Sequence, residues 1–140
     1  MKILLAVDGS AHTKKMLAYL VTHESLLSPG NSYTLLTVQP QLPARARHVV
    51  GKEAVANYQR EESERVLGPA SQFLLRHGIN AKSVAKVGHA GETICKAAES
   101  GKYDLLVMGS HGHGLFGNLV LGSVATQVLS HSKVPVLLVR

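Results

Sequence analysis

Residues 105–123 read Leu-Leu-Val-Met-Gly-Ser-His-Gly-His-Gly-Leu-Phe-Gly-Asn-Leu-Val-Leu-Gly-Ser. The first four, Leu105 to Met108, are an unbroken apolar run of strand length, the pattern of a strand buried on both faces of a sheet. Glycines at 109, 112, 114, 117 and 122 then crowd a loop that ends where Ser123 opens a helical pattern reaching about Ser130. Without β-carbons such a backbone adopts positive φ and comes close to a ligand, and the amides at a helix N-terminus carry roughly half a positive charge. Strand, glycine-rich loop and helix start therefore make an anion site, and the obvious anion is phosphate.

Outward from this stretch, four further blocks read as strands: Lys2 to Val7, Ser32 to Val38, Lys82 to Val87 and Pro135 to Val139. Helical patterns lie between them. Met16, Leu17, Leu20 and Val21 build one apolar stripe ahead of the turn Ser28-Pro29-Gly30-Asn31. A longer helix carries a charged stretch from Tyr58 to Arg65, then Val66, Ala70, Phe73 and Leu74, and ends near Gly78; Gly68-Pro69 is expected to kink or divide it. Another runs from about Gly91 to Ser100 and presents Ile94, Ala97 and Ala98. Alternation of this kind implies a parallel α/β sheet covered on both faces, because parallel neighbours need a crossover long enough to hold a helix. Ile3 to Val7 and Leu105 to Met108 are the expected central strands, whereas Lys82-Ser83-Val84-Ala85-Lys86-Val87 suits an edge. At 140 residues the chain is expected to form one domain, residues 1–140.

Two familiar phosphate motifs fail here. No Gly-x-x-x-x-Gly-Lys-[Ser/Thr] occurs, so a P-loop is excluded. Gly112-His113-Gly114-Leu115-Phe116-Gly117 matches Gly-x-Gly-x-x-Gly, but a dinucleotide site needs an acidic residue about 20 positions later, and Gly109 to Arg140 holds no Asp or Glu.

Bulk properties narrow the classes further. Fifteen Lys and Arg against nine Asp and Glu give +6, which favours anionic partners without choosing among them. Aromatic residues at 4% do not supply the stacking platforms of a single-strand binder, so nucleic acid is not expected. A lone cysteine, Cys95, excludes an internal disulfide. No apolar run approaches the roughly 20 residues of a membrane span. Met1-Lys2 runs straight into a strand without a signal-like segment, so a cytoplasmic location is expected.

The spacing Gly109-x2-Gly112-x9-Gly122-Ser123 resembles the Gly-x2-Gly-x9-Gly-[Ser/Thr] motif of the ATP-binding branch of the universal stress protein family. Ile3-Leu4-Leu5-Ala6-Val7-Asp8-Gly9-Ser10 resembles that family's first strand and turn, and Val134 to Val139 its last strand; Gln41 to Glu53 is the weakest match. The resemblance implies a Rossmann-like five-stranded sheet of order 3-2-1-4-5. In such a sheet the ligand sits where the order reverses, between the strand ends that carry Asp8 and Gly109. A flavodoxin-like order, 2-1-3-4-5, would instead leave the glycine loop to one side.

By position, the resemblance implies that Asp8 accepts hydrogen bonds from ribose hydroxyls, that Val38 meets the adenine edge with its backbone, and that Met108 and Gly109 line base and ribose. Gly112, Gly122, Ser123 and Val124 would supply amides to the phosphates of ATP or AMP, with the Ser123 hydroxyl adding a donor. His111 falls near those phosphates. His111 and His113 are too few for a protein-held metal, so Mg2+ or Mn2+ is expected only as an ion carried by the nucleotide. Gly88 to Glu92 reads as a crossover turn, and Ser10, His12 and Asp8 lie too close together for a nucleophilic triad. The expected function is a nucleotide-binding regulatory protein of the stress response. A slow ATPase or autophosphorylating enzyme is the first alternative, though no dedicated general base is evident; a nucleotide-free interaction protein is the second. The apolar last strand would be an uncovered edge, so a homodimer through that strand is expected.

Overall fold

The computed structural model describes residues 1–26, 28, 30–113 and 120–140. Residues 114–119 of the glycine-rich stretch, including Gly114 and Gly117, lie outside the described residues, as does Pro29 of the first turn. In chain order the elements are β1 (Lys2–Ala6), α1 (Ala11–Thr22), β2 (Ser32–Gln39), α2 (Ala44–Val50), α3 (Lys52–Arg76), β3 (Lys82–Val87), α4 (Ala90–Ser100), β4 (Leu105–Gly109), α5 (Ser123–His131) and β5 (Val136–Val139), with a short 3-10 turn at Glu24–Leu26.

The strands form one parallel sheet in the order β3-β2-β1-β4-β5. This is the order implied by the family resemblance, and it removes the flavodoxin-like alternative. β1 is central: it pairs with β2 from Lys2↔Ser32 to Ala6↔Leu36 and with β4 from Ile3↔Leu105 to Ala6↔Met108. Its alternate side chains feed two cores. Ile3 and Leu5 join Leu35 and Val107 beneath Met16, Leu17 and Leu20 of α1 and Leu67, Ala70 and Leu74 of α3. Leu4 and Ala6 join Leu36, Leu106 and Met108 beneath Ile94 and Ala98 of α4 and Ala125 and Val128 of α5. A strand buried on both faces has to be apolar at every position, which is why Ile3 to Ala6 shows no alternation. β3 pairs only with β2 and is exposed along most of its length, so its two lysines cost nothing there.

Two segments add to the expectation. α3 passes through Gly68-Pro69 as one helix of 25 residues, so of the two expected outcomes, a kink or a division, the division does not occur. Pro69 cannot donate to the Arg65 carbonyl, a loss of about 3 kcal/mol in a helix interior. Burial of Leu67, Ala70 and Leu74 on both sides of the proline, at roughly 1.5–3 kcal/mol for each large side chain, offsets it. α2 occupies part of the stretch that aligned poorly; no residue of it is buried, and it ends at Gly51, whose φ of +82° suits glycine.

Candidate functional site

β1 and β4 are neighbours whose outer connections run to opposite sides, so their C-terminal ends frame a crevice that neither helix layer fills. A cavity of about 190 Å3 lies there. Every residue expected at the site except Gly122 lines it: Asp8, Val38, Met108, Gly109, His111, Gly112, Ser123 and Val124. Ala6, Val7, Thr13, Leu36, Ala90, Ile94, His113 and Ala125 also line it, none of them expected at the site from the sequence.

Asp8 sits in the turn between β1 and α1 and is only partly buried. Its Oδ1 accepts from the Ser10 amide at 2.9 Å and from the Thr13 hydroxyl at 2.8 Å, while its own amide donates to Thr13 Oγ1 at 3.0 Å. Ser10 caps α1, its Oγ accepting from the Thr13 amide. These bonds fix the carboxylate and consume one oxygen. Among the described residues Oδ2 accepts no hydrogen bond, so one acceptor of a wall-lining carboxylate remains for a ligand.

Val38 presents a different kind of polar group. Residues of a parallel strand alternate the side towards which their N–H and C=O point. Leu36 O accepts from Val7 N at 2.9 Å, so Leu36 faces β1; Gln39 O accepts from Gly88 N at 3.0 Å, so Gln39 faces β3. Val38 therefore faces the β1 side, beyond the last residue of β1. Its N–H and C=O form one donor and one acceptor at the cavity wall.

The third group is the start of α5. Gly122 is its N-cap residue and brings no side-chain cap. The Gly122 carbonyl accepts the first helical bond, from Thr126 N at 3.0 Å. The amides of Ser123, Val124 and Ala125 precede any possible helical partner and have none among the described residues, leaving the positive end of the helix open. Among the described residues no Lys or Arg lines the cavity.

The glycines work differently from the sequence expectation in two respects. Gly109, Gly112 and Gly122 do not have positive φ; among the described glycines Gly9, Gly51, Gly78 and Gly88 do. What they supply is close approach to the protein's own chain. A β-carbon at Gly109 would stand 2.9 Å from His12 Cβ and 3.1 Å from the His12 carbonyl oxygen; at Gly112, 2.7 Å from Asp8 Oδ2; at Gly122, 3.1 Å from His111 Cα. The Gly122 amide is also not a free donor, because it bonds to Ser110 O at 2.8 Å. Gly122 thus anchors the helix start against the loop, and the open amides begin at Ser123.

Loop side chains tie the crest together. Ser110 is buried; its amide donates to Val139 O at 2.9 Å and its Oγ shares a 2.9 Å hydrogen bond with His111 Nδ1. The His111 ring lies 4.9 Å from that of His12. His113 Nε2 meets Asp8 O at 2.6 Å, so this histidine fastens the loop to the β1 turn. Nothing in the spacing of His113 announces that contact across 105 residues. The Gly88 to Glu92 turn acts as a crossover, as expected, and also brings Ala90 to the cavity wall. Further along α4, burial and the Glu99 carboxylate push the Cys95 thiol up from its ordinary pKa, so it is mainly protonated near neutral pH.

With this geometry in place, the comparisons with known proteins are consistent across the chain. The sequence profile of the Universal stress protein family matches residues 1–140. A universal stress protein of Thermus aquaticus is 32% identical over 139 residues, covering 99% of this chain and 97% of the relative. Another, from a Synechocystis strain, is 33% identical over 139 residues; 99% of this chain is covered, and the chain spans 42% of that relative's length. Among solved structures, MJ0577 of Methanocaldococcus jannaschii aligns with a TM-score of 0.83 at 27% identity, covering 99% of this chain and 94% of that one. More distant structures share the fold. One universal stress protein in complex with cAMP has a TM-score of 0.71 at 20% identity, covering 100% of this chain and 97% of that one. An Arabidopsis thaliana protein with AMP bound reaches 0.66 at 18%, covering 99% and 90%. An Archaeoglobus fulgidus protein in complex with dAMP reaches 0.67 at 21%, covering 100% and 98%.

Proposed function

The chain belongs to the universal stress protein family, and from that premise we propose that it binds an adenine nucleotide, ATP or AMP, in the crevice between β1 and β4. The observation that carries this reading is three sets of polar groups around one cavity that have no partner among the described residues: the Val38 backbone, Asp8 Oδ2, and the open amides of Ser123 and Val124. They match the three chemically distinct parts of the ligand. The adenine edge needs a donor and an acceptor, which Val38 offers. The ribose hydroxyls need an acceptor, which is Asp8 Oδ2. The phosphates need donors and positive potential, which α5 offers with Ser123 Oγ, the Gly112 amide and His111 beside it. Met108 and Gly109 form the floor beneath base and ribose. Relatives solved with cAMP, AMP and dAMP, all adenine nucleotides carrying phosphate, support the same assignment. Any Mg2+ or Mn2+ arrives with the phosphates.

The role follows from what the site holds and what it does not. Asp8 is the only carboxylate among the described residues lining the cavity, and it is assigned to the turn and the ribose, so binding rather than turnover is the proposed activity. The protein acts as a cytoplasmic regulatory module of the stress response, a single domain whose nucleotide state alters its partnerships. We further propose a homodimer through β5, an edge strand paired only with β4.

The test is mass spectrometry of the small molecule released when the purified protein is denatured, with calorimetry against ATP and AMP. An adenine nucleotide in the first and saturable heat in the second are expected. No nucleotide and no heat at high micromolar ligand would overturn the reading in favour of a nucleotide-free interaction protein. Robust ATP hydrolysis lost in both Asp8→Ala and Gly122→Glu would favour an enzyme. Light scattering that finds only monomer at tens of micromolar would remove the dimer.

A further inference from the structure

The roomiest of the described cavities lies away from the nucleotide crevice. It is a groove of about 520 Å3 between α1 and α3. Its origin is local. After Val66, α3 turns Leu67 into the core and continues with Gly68, Pro69 and Ala70, so no large side chain fills the space facing Lys14 and Leu17 of α1 until Phe73. The floor is apolar: Leu17 and Ala70 are buried, and Val66 and Phe73 are partly buried. The rim is cationic, with Lys14 on one side and Arg65 and Arg76 on the other, and no carboxylate is among the described residues lining the groove. Arg65 pairs with Glu62 at 3.1 Å, but its side chain is 74% exposed, and an exposed pair of this kind is worth so little that a better acceptor displaces it. Lys14 and Arg76 enter no ion pair among the described residues.

We propose that this groove docks an acidic amphipathic helix of a partner protein, with apolar side chains on the Leu17 and Phe73 floor and carboxylates at Lys14, Arg65 and Arg76. Charge complementarity selects this occupant. A ring of three cations around an apolar slot rejects a basic segment and favours an acidic one. Apolar anchors supply affinity, as in other helix-in-groove contacts, while the rim charges supply orientation and discrimination. The end wall of the groove is Gly9 and Thr13, the turn that fixes Asp8, so a docked partner touches the frame of the nucleotide crevice without entering it. The docking itself does not depend on the nucleotide assignment.

The test uses the full chain without nucleotide and two fluorescein-labelled synthetic helices with leucines at i, i+3, i+4 and i+7. One is flanked by glutamates and the other has lysine at each glutamate. Fluorescence anisotropy is expected to show saturable binding of the acidic helix only, weakening as salt is raised. Lys14→Glu with Arg76→Glu is expected to weaken it about tenfold or more, whereas Lys82→Glu with Lys86→Glu on β3 leaves it unchanged. If the charge-reversed pair does not fold by circular dichroism, Lys14→Ala with Arg76→Ala replaces it, with a smaller loss expected in the same direction. Amide shifts on titration are expected to cluster at residues 13–17 and 65–76. Equal binding of both helices, no binding of the acidic one, unchanged binding by the groove variants, or shifts centred elsewhere would each overturn the proposal. So would groove variants that alter only the oligomeric state, since the occupant would then be a second copy.

Discussion

Helices α1 and α5 both begin at the crest of the sheet, on either side of the same crevice, and they begin in opposite ways. α1 closes its own end: Ser10 Oγ accepts from the Thr13 amide, and the Thr13 hydroxyl and Ser10 amide both bond to Asp8 Oδ1. α5 leaves its end open, with a glycine where a capping side chain would stand and that glycine's amide spent on Ser110. A capped start is worth about 1 kcal/mol to the fold and has one donor fewer to offer an anion. An uncapped start forgoes that stability and keeps donors and positive potential for a ligand. The contrast separates the part of the crest that holds the protein together from the part proposed to bind.

The largest expected effect comes from Gly109→Val. Its β-carbon would meet both the side chain and the carbonyl oxygen of His12 in the first turn of α1, and backbone cannot yield as a side-chain tip can. Overpacking of this kind costs about 3 kcal/mol, read as a lower denaturant midpoint; an unchanged midpoint would mean that α1 is not held by this approach. Next, Gly122→Asp makes α5 resemble α1 by placing a carboxylate at its open end. Nucleotide affinity by calorimetry is expected to fall on the order of a hundredfold, because a like charge set beside phosphate costs several kcal/mol. Retained affinity would break the contrast outright. Ser10→Ala removes the cap from the closed helix, with an expected loss of about 1 kcal/mol in stability and no change in nucleotide affinity, since the Ser10 amide that holds Asp8 is kept.

The smallest effect lies at a third helix start. α4 has no side-chain cap either, but it carries Glu92 in its first turn, hydrogen-bonded to Lys96. The Lys96 ammonium holds Glu92 below the ordinary carboxylate pKa, chiefly through that hydrogen bond. A depressed carboxylate stabilises the fold above its unfolded pKa, and the contribution is lost as pH falls through the folded value. Glu92→Gln should therefore shift the unfolding midpoint slightly at neutral pH and not at all in strong acid; the same shift at both would assign it to something other than charge.

Most of this arrangement is legible in the sequence, for identifiable reasons. A strand that must be apolar on both faces leaves no polar residue from Ile3 to Val7, and an edge strand tolerates Lys82 and Lys86. α2 is not legible because none of its residues is buried, so no apolar period marks it. The continuity of α3 across Gly68-Pro69 is not legible because burial on either side, a tertiary effect, outweighs the local cost of proline. The glycine spacing falls at the crevice, where Gly109 and Gly112 line the cavity, but without the positive φ that the sequence suggests. The residues that actually require Gly109, Gly112 and Gly122 are His12, Asp8 and His111, two of them about 100 positions away along the chain. Ser110 and His113 were missed for the same reason: their partners are Val139, Gly122 and Asp8, brought near only by the finished sheet.

The register of the central strand has a consequence for how the protein is made. β1 pairs with β2 about thirty residues later, yet its other side waits for β4, since Ile3 pairs with Leu105. At synthesis rates of roughly 5–20 residues per second, the nascent chain spends several seconds with the β1 flank unpaired. That interval, rather than any property of the finished molecule, is when an aggregating contact or a chaperone would find the apolar run from Ile3 to Ala6.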